Sequence, residues 1–333
     1  MAPDSARPPL FVWNWLPAVA ALVAGIPAIV VTALVDVGAG AALAVGMIPA
    51  LVVGVPHARR SRLVIVAAGL VLGVPIILGS AVAPFPVLAV AVMAVLPVLA
   101  VWSAPALRRP RLSMLLTIMA PPLIGVGLSS DGVAVGLRIT GLFLLGGLAA
   151  FVVAVVIPER LVPDGPGGGP GPRVPGMQYG LLVGVVGAIT AGIGFASGFD
   201  HVGWACAAAL LVMRPDPDLQ LWRTAGRFVS VVTGGAAAVV LVDHAPAWSL
   251  AIVVGVVLAA AAGTRGSRWY ILPTFTTFLV ILMLGAATTG TAPGRFGERV
   301  GETLLGLAVA AIIGAGVPAL SRWTRRPHAG TVE

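Results

Sequence analysis

The feature that most constrains this chain is a succession of twelve apolar segments, 13 to 25 residues long, interrupted only by short stretches of Arg, Asp, Pro and Gly. They run Phe11 to Val35, Ala39 to Val55, Leu63 to Val82, Phe85 to Trp102, Leu112 to Leu128 and Val133 to Ile157. The second set runs Met177 to Phe199, His201 to Met213, Thr224 to Val242, Pro246 to Gly263, Trp269 to Ala287 and Glu298 to Leu320. A span of the ~30 Å hydrocarbon core takes about 20 apolar residues. Only 10% of the chain is charged, against about 25% in a soluble domain. The fold class expected is an all-α integral membrane protein of about twelve transmembrane helices.

Orientation follows from the basic residues. All 20 are arginines, and 17 lie in the N-terminal tail or near the connections after segments two, four, six, eight, ten and twelve. Arg138, Arg295 and Arg299 alone fall at the other face, which carries Asp36, Asp131, Asp200, Asp243, Glu298 and Glu302. The positive-inside rule then predicts cytoplasmic termini and a multi-pass protein of the bacterial inner membrane. No basic block of the nucleic-acid type occurs, so the net charge of +8 implies no nucleic-acid partner.

An internal repeat is also legible. Arg62 precedes Gly73 by the spacing that separates Arg223 from Gly234, and Arg138 opens segment six as Arg299 opens segment twelve, each pair offset by 161 positions. An even number of spans per copy makes the repeats parallel. The domain reading is a cytoplasmic tail at 1–10, a six-helix repeat at 11–157, a Pro/Gly-rich cytoplasmic linker at 158–176, a second six-helix repeat at 177–320 and a cytoplasmic tail at 321–333.

The candidate site lies in the second copy. His201 to Met213 is 13 residues, about 20 Å of helix, so polar groups at its ends are drawn toward membrane depth. At the outer end Asp200 and His201 could relay protons or form an ordinary polar loop, because histidine titrates near neutrality. Trp204 could stack on an aromatic substrate or anchor the interface. Arg214, Arg223 and Arg227 are candidates for binding a carboxylate through bidentate bonds, against a competing role in cytoplasmic anchoring. Arg299 and Glu302 sit three residues apart on one helical face, which allows either a structural ion pair or, with Arg138, a gate.

The remaining motifs imply no catalysis. The four histidines are scattered singly without metal-ligand spacing. The Gly-rich linker has neither the lysine nor the preceding strand of a phosphate loop. Cys206 stands alone in an apolar run and reads as a small hydrophobe. Neither a catalytic site, a metal site nor a cofactor is expected. The partners expected are a small organic anion and the lipid bilayer, with homo-oligomerisation compatible with the sequence.

The order Asp200-His201, Trp204, Arg214-Pro215, Arg223, Arg227 and Gly234-Gly235, followed by Arg299, Glu302-Thr303 and Gly306, resembles the fusaric acid resistance family of the aromatic acid exporter superfamily. The likeness is stronger in the second half; the corresponding stretch of the first half reads GAGAALAVGMIPALVVGVP. The resemblance implies an inner-membrane efflux protein for small organic, often aromatic, acids. A proton-coupled secondary exporter is the leading expectation, with a passive organic-anion channel or a non-transporting membrane scaffold as alternatives.

Overall fold

The computed structural model describes residues 9–107, 110–130, 132–162, 175–214, 217–268, 271–286 and 292–316. Residues 163–174 of the linker, Asp131, the first eight residues and the C-terminal tail lie outside them. Over its described residues each of the twelve apolar segments is mainly helical, and the described residues contain no strand. Among the described residues, five helices are long and apolar enough to cross a membrane, or six if a bent pair counts as one span. The chain is therefore a multi-pass helical membrane protein.

The first segment is that bent pair, α1 (Trp15–Ala24) and α2 (Ile26–Leu34), which meet at Gly25 with a 44° break and a proline at the start of α2. The second is also broken, into α3 (Val37–Gly46) and α4 (Ile48–Val53), again with proline in the first turn of the second piece. Proline removes a backbone donor and crowds the preceding turn, so a new helix starting there is the natural outcome. The Asp36 carboxylate caps α3 by accepting from Ala39 N–H at 2.6 Å.

The first half continues with α5 (Leu63–Val82), α6 (Pro86–Ser103), α7 (Pro110–Leu128) and α8 (Val133–Val156). The second half comprises α9 (Met177–Ala196), α10 (Val202–Val212), α11 (Pro217–His244), α12 (Ala247–Gly263), α13 (Ile271–Ala286) and α14 (Ala292–Ala310), the last continuing into a π-helical turn at Ala311–Ala315. Helix α11 is already formed at Pro217, seven residues before the expected Thr224. A starting residue recurs at the offset seen in sequence: Pro86 of α6 and Ala247 of α12 are 161 positions apart.

The two larger hydrophobic cores do not follow the two halves of the chain. One joins α6 and α7 of the first half to α9, α10 and α14 of the second, around Met93, Ile124, Val186 and Leu210. The other joins α1 to α4 with α12 and α13, around Met47, Leu258 and Leu282. Packing is reciprocal: α6 lies on α9 as α12 lies on α1 and α2, while α7 lies on α10 as α13 lies on α3. Helices α3 and α10, both short, are deeply enclosed. In α10 every residue but Leu211 is buried.

Close backbone approach makes that enclosure achievable. A side chain at Gly203 of α10 would run into the Gly125 carbonyl of α7, and one at Gly125 would stand 2.9 Å from Ala207 N. Interfaces of small residues of this kind let membrane helices associate through dispersion contacts where no hydrophobic effect operates.

Arg62 holds the end of α8. Its side chain is fully buried, donating to Pro56 and His57 carbonyls at 3.0 Å and to the Ile157 carbonyl at 2.6 Å, with a further bond to Ala154 O. Terminal helix carbonyls have no intrahelical partner and carry the negative end of the helix dipole. Arg62 supplies both donors and charge.

Candidate functional site

Helix α10, about 16 Å long at 1.5 Å per residue, carries a different polar group at each end. At its start His201 is the N-cap residue, half-buried, with its imidazole stacked on Trp204 at a centroid distance of 4.2 Å and an interplanar angle of 26°. The His201 carbonyl accepts from Trp204 N–H at 2.9 Å, and the Ser129 hydroxyl of the α7 end reaches it at 3.5 Å. Trp204 is 4% exposed and Asp200 is exposed. Trp204 is therefore an interior residue, where an interfacial anchor would be wet.

At the other end two donors converge on the carbonyl of Met213, the residue that caps α10. The Tyr179 hydroxyl of α9 donates to Met213 O at 3.3 Å, and Arg214 Nη1 donates to the same oxygen at 2.5 Å. A cation at a helix C-terminus is favoured by the dipole, so this contact contributes to anchoring. Burial pushes the Arg214 guanidinium pKa down, with the adjacent Tyr179 acting in the opposite direction. Arg223, on α11, lies within electrostatic reach of both Arg214 and Tyr179. Two of the three candidate arginines are thus gathered around one phenol.

Arg227 follows one turn deeper along α11. Its Nε–H is buried and, among the described residues, donates to no partner. Two hydroxyls are in the same condition: Thr277 Oγ1 on α13 and Thr303 Oγ1 on α14, on residues 2% and 1% exposed. The three helices pack against one another. Buried polar groups are almost always paired, because an orphan costs about 1–3 kcal/mol. Each of the three leaves, on α11, α13 or α14, a buried polar atom that a polar ligand could satisfy.

The remaining sequence candidates separate. Arg138 is exposed on α8 and makes no hydrogen bond or ion pair among the described residues, so nothing here gives it a gating contact. The side chain of Arg299 lies outside the described residues, which leaves its pairing with Glu302 without a structural account. Glu302 itself is 6% exposed on α14, facing α10 within electrostatic reach of Cys206. Gly306, one turn on along α14, abuts the Ala205 carbonyl of α10. No group of three His, Cys, Asp or Glu among the described residues is arranged to hold a metal ion.

Sequence reasoning overlooked Tyr179, Thr277 and the capping role of Arg62. Tyr179 carried a signal, being one of only two tyrosines in the chain. The threonines did not, since a hydroxyl in a membrane helix usually bonds to its own backbone, as Thr190 does to Val186 O at 2.8 Å.

No curated protein and no solved structure matches the chain. Residues 188–313, from α9 to the turn that follows α14, match the family model described as fusaric acid resistance protein-like, so the resemblance carried by Asp200, Trp204, the arginines and Glu302 holds over the stretch that builds this site.

Proposed function

We propose that this chain is a secondary transporter that exports small organic acids, aromatic ones included, across the bacterial inner membrane in exchange for protons. It has twelve spans in two parallel six-helix repeats, with both termini cytoplasmic. The family match to residues 188–313 supports a membrane transport or efflux function. The repeated offset of 161 positions and the reciprocal packing of α6 with α9 and of α12 with α1 and α2 support the duplication. The observation that carries the site is the set of orphaned buried donors, Arg227 Nε, Thr277 Oγ1 and Thr303 Oγ1, on α11, α13 and α14.

In this reading Arg227 binds the carboxylate, Arg214 and Arg223 draw the anion inward from the arginine-rich face, and Asp200 with His201 exchanges protons at the opposite end of α10. A guanidinium offers a planar fork to a carboxylate, whereas an ammonium is a point charge. Arg227→Lys in proteoliposomes should therefore raise the half-saturating concentration of benzoate about ten- to a hundredfold, the equivalent of roughly 1.5–3 kcal/mol for a lost charge-assisted bond. Arg227→Lys and Arg227→Ala both transporting like the unmodified protein would assign the residue to anchoring. Asp200→Asn with His201→Gln should keep downhill exchange and lose pH-driven accumulation; intact accumulation would move proton coupling elsewhere.

A second reading has one specific observation in its favour. Arg62, which stands 161 positions before Arg223, is wholly engaged with backbone carbonyls at the end of α8. An equivalent duty at the end of α14 would make Arg223 a structural cap and leave anion binding to Arg214 and Arg227.

A further inference from the structure

A second site lies away from α10, at the end of the bundle where α1 begins and α8 and α12 finish. A cavity of about 490 Å³ opens there between α1, α4, α5 and α8. Its wall is almost wholly apolar, built from residues such as Ala20, Ala24, Leu51, Ile65 and Val153. Along α1 it runs from Pro17 to Ala24, which at 1.5 Å per residue is roughly 10 Å deep. Water requires two to four polar partners in such a space, and this wall offers few, so the cavity suits the apolar body of a ligand. The volume is within the ~300–1,000 Å³ range of ligand sites.

The rim is charged and fixed. Arg265, just beyond the end of α12, lines it together with Asn14. Arg265 Nη2 donates to the Val53 carbonyl at 2.9 Å, and the guanidinium lies directly over Gly54, where any side chain would overlap it. Gly54 also adopts φ +71°, a conformation costly for other residues. Asn14 N–H donates to Gly263 O at 2.8 Å, and Val12 exchanges two bonds with the Ser267 hydroxyl, so the chain entering α1 is tied to the turn bearing Arg265. Burial pushes the Arg265 guanidinium pKa down, and a bound anion would offset that desolvation.

The level of the rim in the membrane is marked by aromatic rings. Phe11 stacks with Trp13 at 6.4 Å and Trp13 meets Trp15 edge-on at 5.4 Å, flanking Asn14. Trp13 packs on Gly263, two residues from Arg265, and its buried Nε1–H has no partner among the described residues. Tryptophans of this kind sit at the headgroup level. Exposed Arg59 and Arg60 lie at the same end, and anionic lipids gather on the face that basic residues define.

We propose that this cavity is a binding site for an anionic membrane amphiphile, a phospholipid whose acyl chain enters between α1 and α8 while its phosphate is held at the rim by Arg265. A free fatty acid shares that chemistry, a monoanionic head on an apolar tail, and the test separates the two. The site stands independently of the transport proposal, since it involves none of the arginines around α10.

Native mass spectrometry of the detergent-purified full chain, titrated with dioleoyl phosphatidylglycerol, dioleoyl phosphatidylcholine or oleate, reads the occupancy. Phosphatidylglycerol should bind at least tenfold more tightly than phosphatidylcholine. Arg265→Gln should bring the two within about twofold, and Arg265→Lys should keep much of the preference. Ala20→Phe, a half-buried position on the wall, should block both lipids without unfolding the bundle, as checked by its melting temperature. A phosphatidylglycerol preference that survives Arg265→Gln, or lipid adducts that survive a folded Ala20→Phe, would overturn the site. Tighter binding of oleate than of phosphatidylglycerol would overturn the phospholipid assignment in favour of free fatty acids.

Discussion

Replacing Gly203 with alanine tests whether α10 is as tightly enclosed as its surroundings indicate. The added carbon would meet the Gly125 carbonyl of α7, a backbone atom that cannot rotate aside, so α7 and α10 must separate. Overpacking of this kind costs about 1–3 kcal/mol. Alanine also removes about 0.5–1 kcal/mol of glycine's backbone penalty within a helix. Gly192→Ala on α9 gains the same helical term and meets nothing within 4 Å, so it isolates the clash. The difference between the two variants should therefore be about 1–3 kcal/mol, a factor of roughly 5 to 160 in the unfolding equilibrium. Gly125→Ala, whose nearest neighbours stand at 2.9 and 3.1 Å, should fall between them. Reversible unfolding in mixed micelles, followed by tryptophan fluorescence, gives all three values. Equal stability of Gly203→Ala and Gly192→Ala would refute the close approach of α7 and α10.

Three further outcomes follow from the same geometry. Arg62→Ala leaves several buried carbonyls without donors and should destabilise the protein by about 3 kcal/mol or prevent its accumulation, whereas Arg138→Ala, at an exposed position, should stay within about 0.5 kcal/mol in the same unfolding assay. The Glu159 carboxylate accepts from Arg59 N–H at 2.7 Å, and that bond holds its pKa below 4.5; its contribution is present above that value and is lost as the pH falls through the lower folded one. Melting curves of Glu159→Gln should accordingly lie below those of the unmodified protein at pH 6 and merge with them in acid; a gap that widens in acid would reverse the sign. For topology, Ser197→Cys and Ser61→Cys, both exposed, in a Cys206→Ala background should label with an impermeant thiol reagent from outside at Ser197 only, and labelling of Ser61 from outside would invert the orientation.

Much of the fold could be read from hydropathy because a bilayer demands continuous apolar helices, and the segment limits of α5, α8 and α10 fall within a few residues of the helices formed. Breaks inside the first two segments were harder, since Pro27 and Pro49 are two of 28 prolines and others, such as Pro75 and Pro97, lie inside unbroken helices. Which prolines end a helix depends on neighbours that resatisfy the freed carbonyls. The placement of charged residues at both ends of α10 followed from its length alone. The Tyr179–Arg214 contact did not, because it joins the start of α9 to the end of α10, 35 positions away. Nor could the cavity at Arg265 be anticipated: its wall is drawn from α1, α4 and α8, while its arginine comes from beyond α12.

The enclosure of α10 also orders events during biogenesis. A segment of 11 residues is too short to be released into lipid as an independent span, and its final walls are α7, made long before it, and α14, made long after. Helix α3 is in the same position, waiting for α13. The insertion machinery must therefore hold both short helices, or leave them at the interface, until the ribosome has nearly finished the membrane region. Each half of the chain then completes the interior of the other, and coexpressed halves should survive proteolysis together where either alone is degraded.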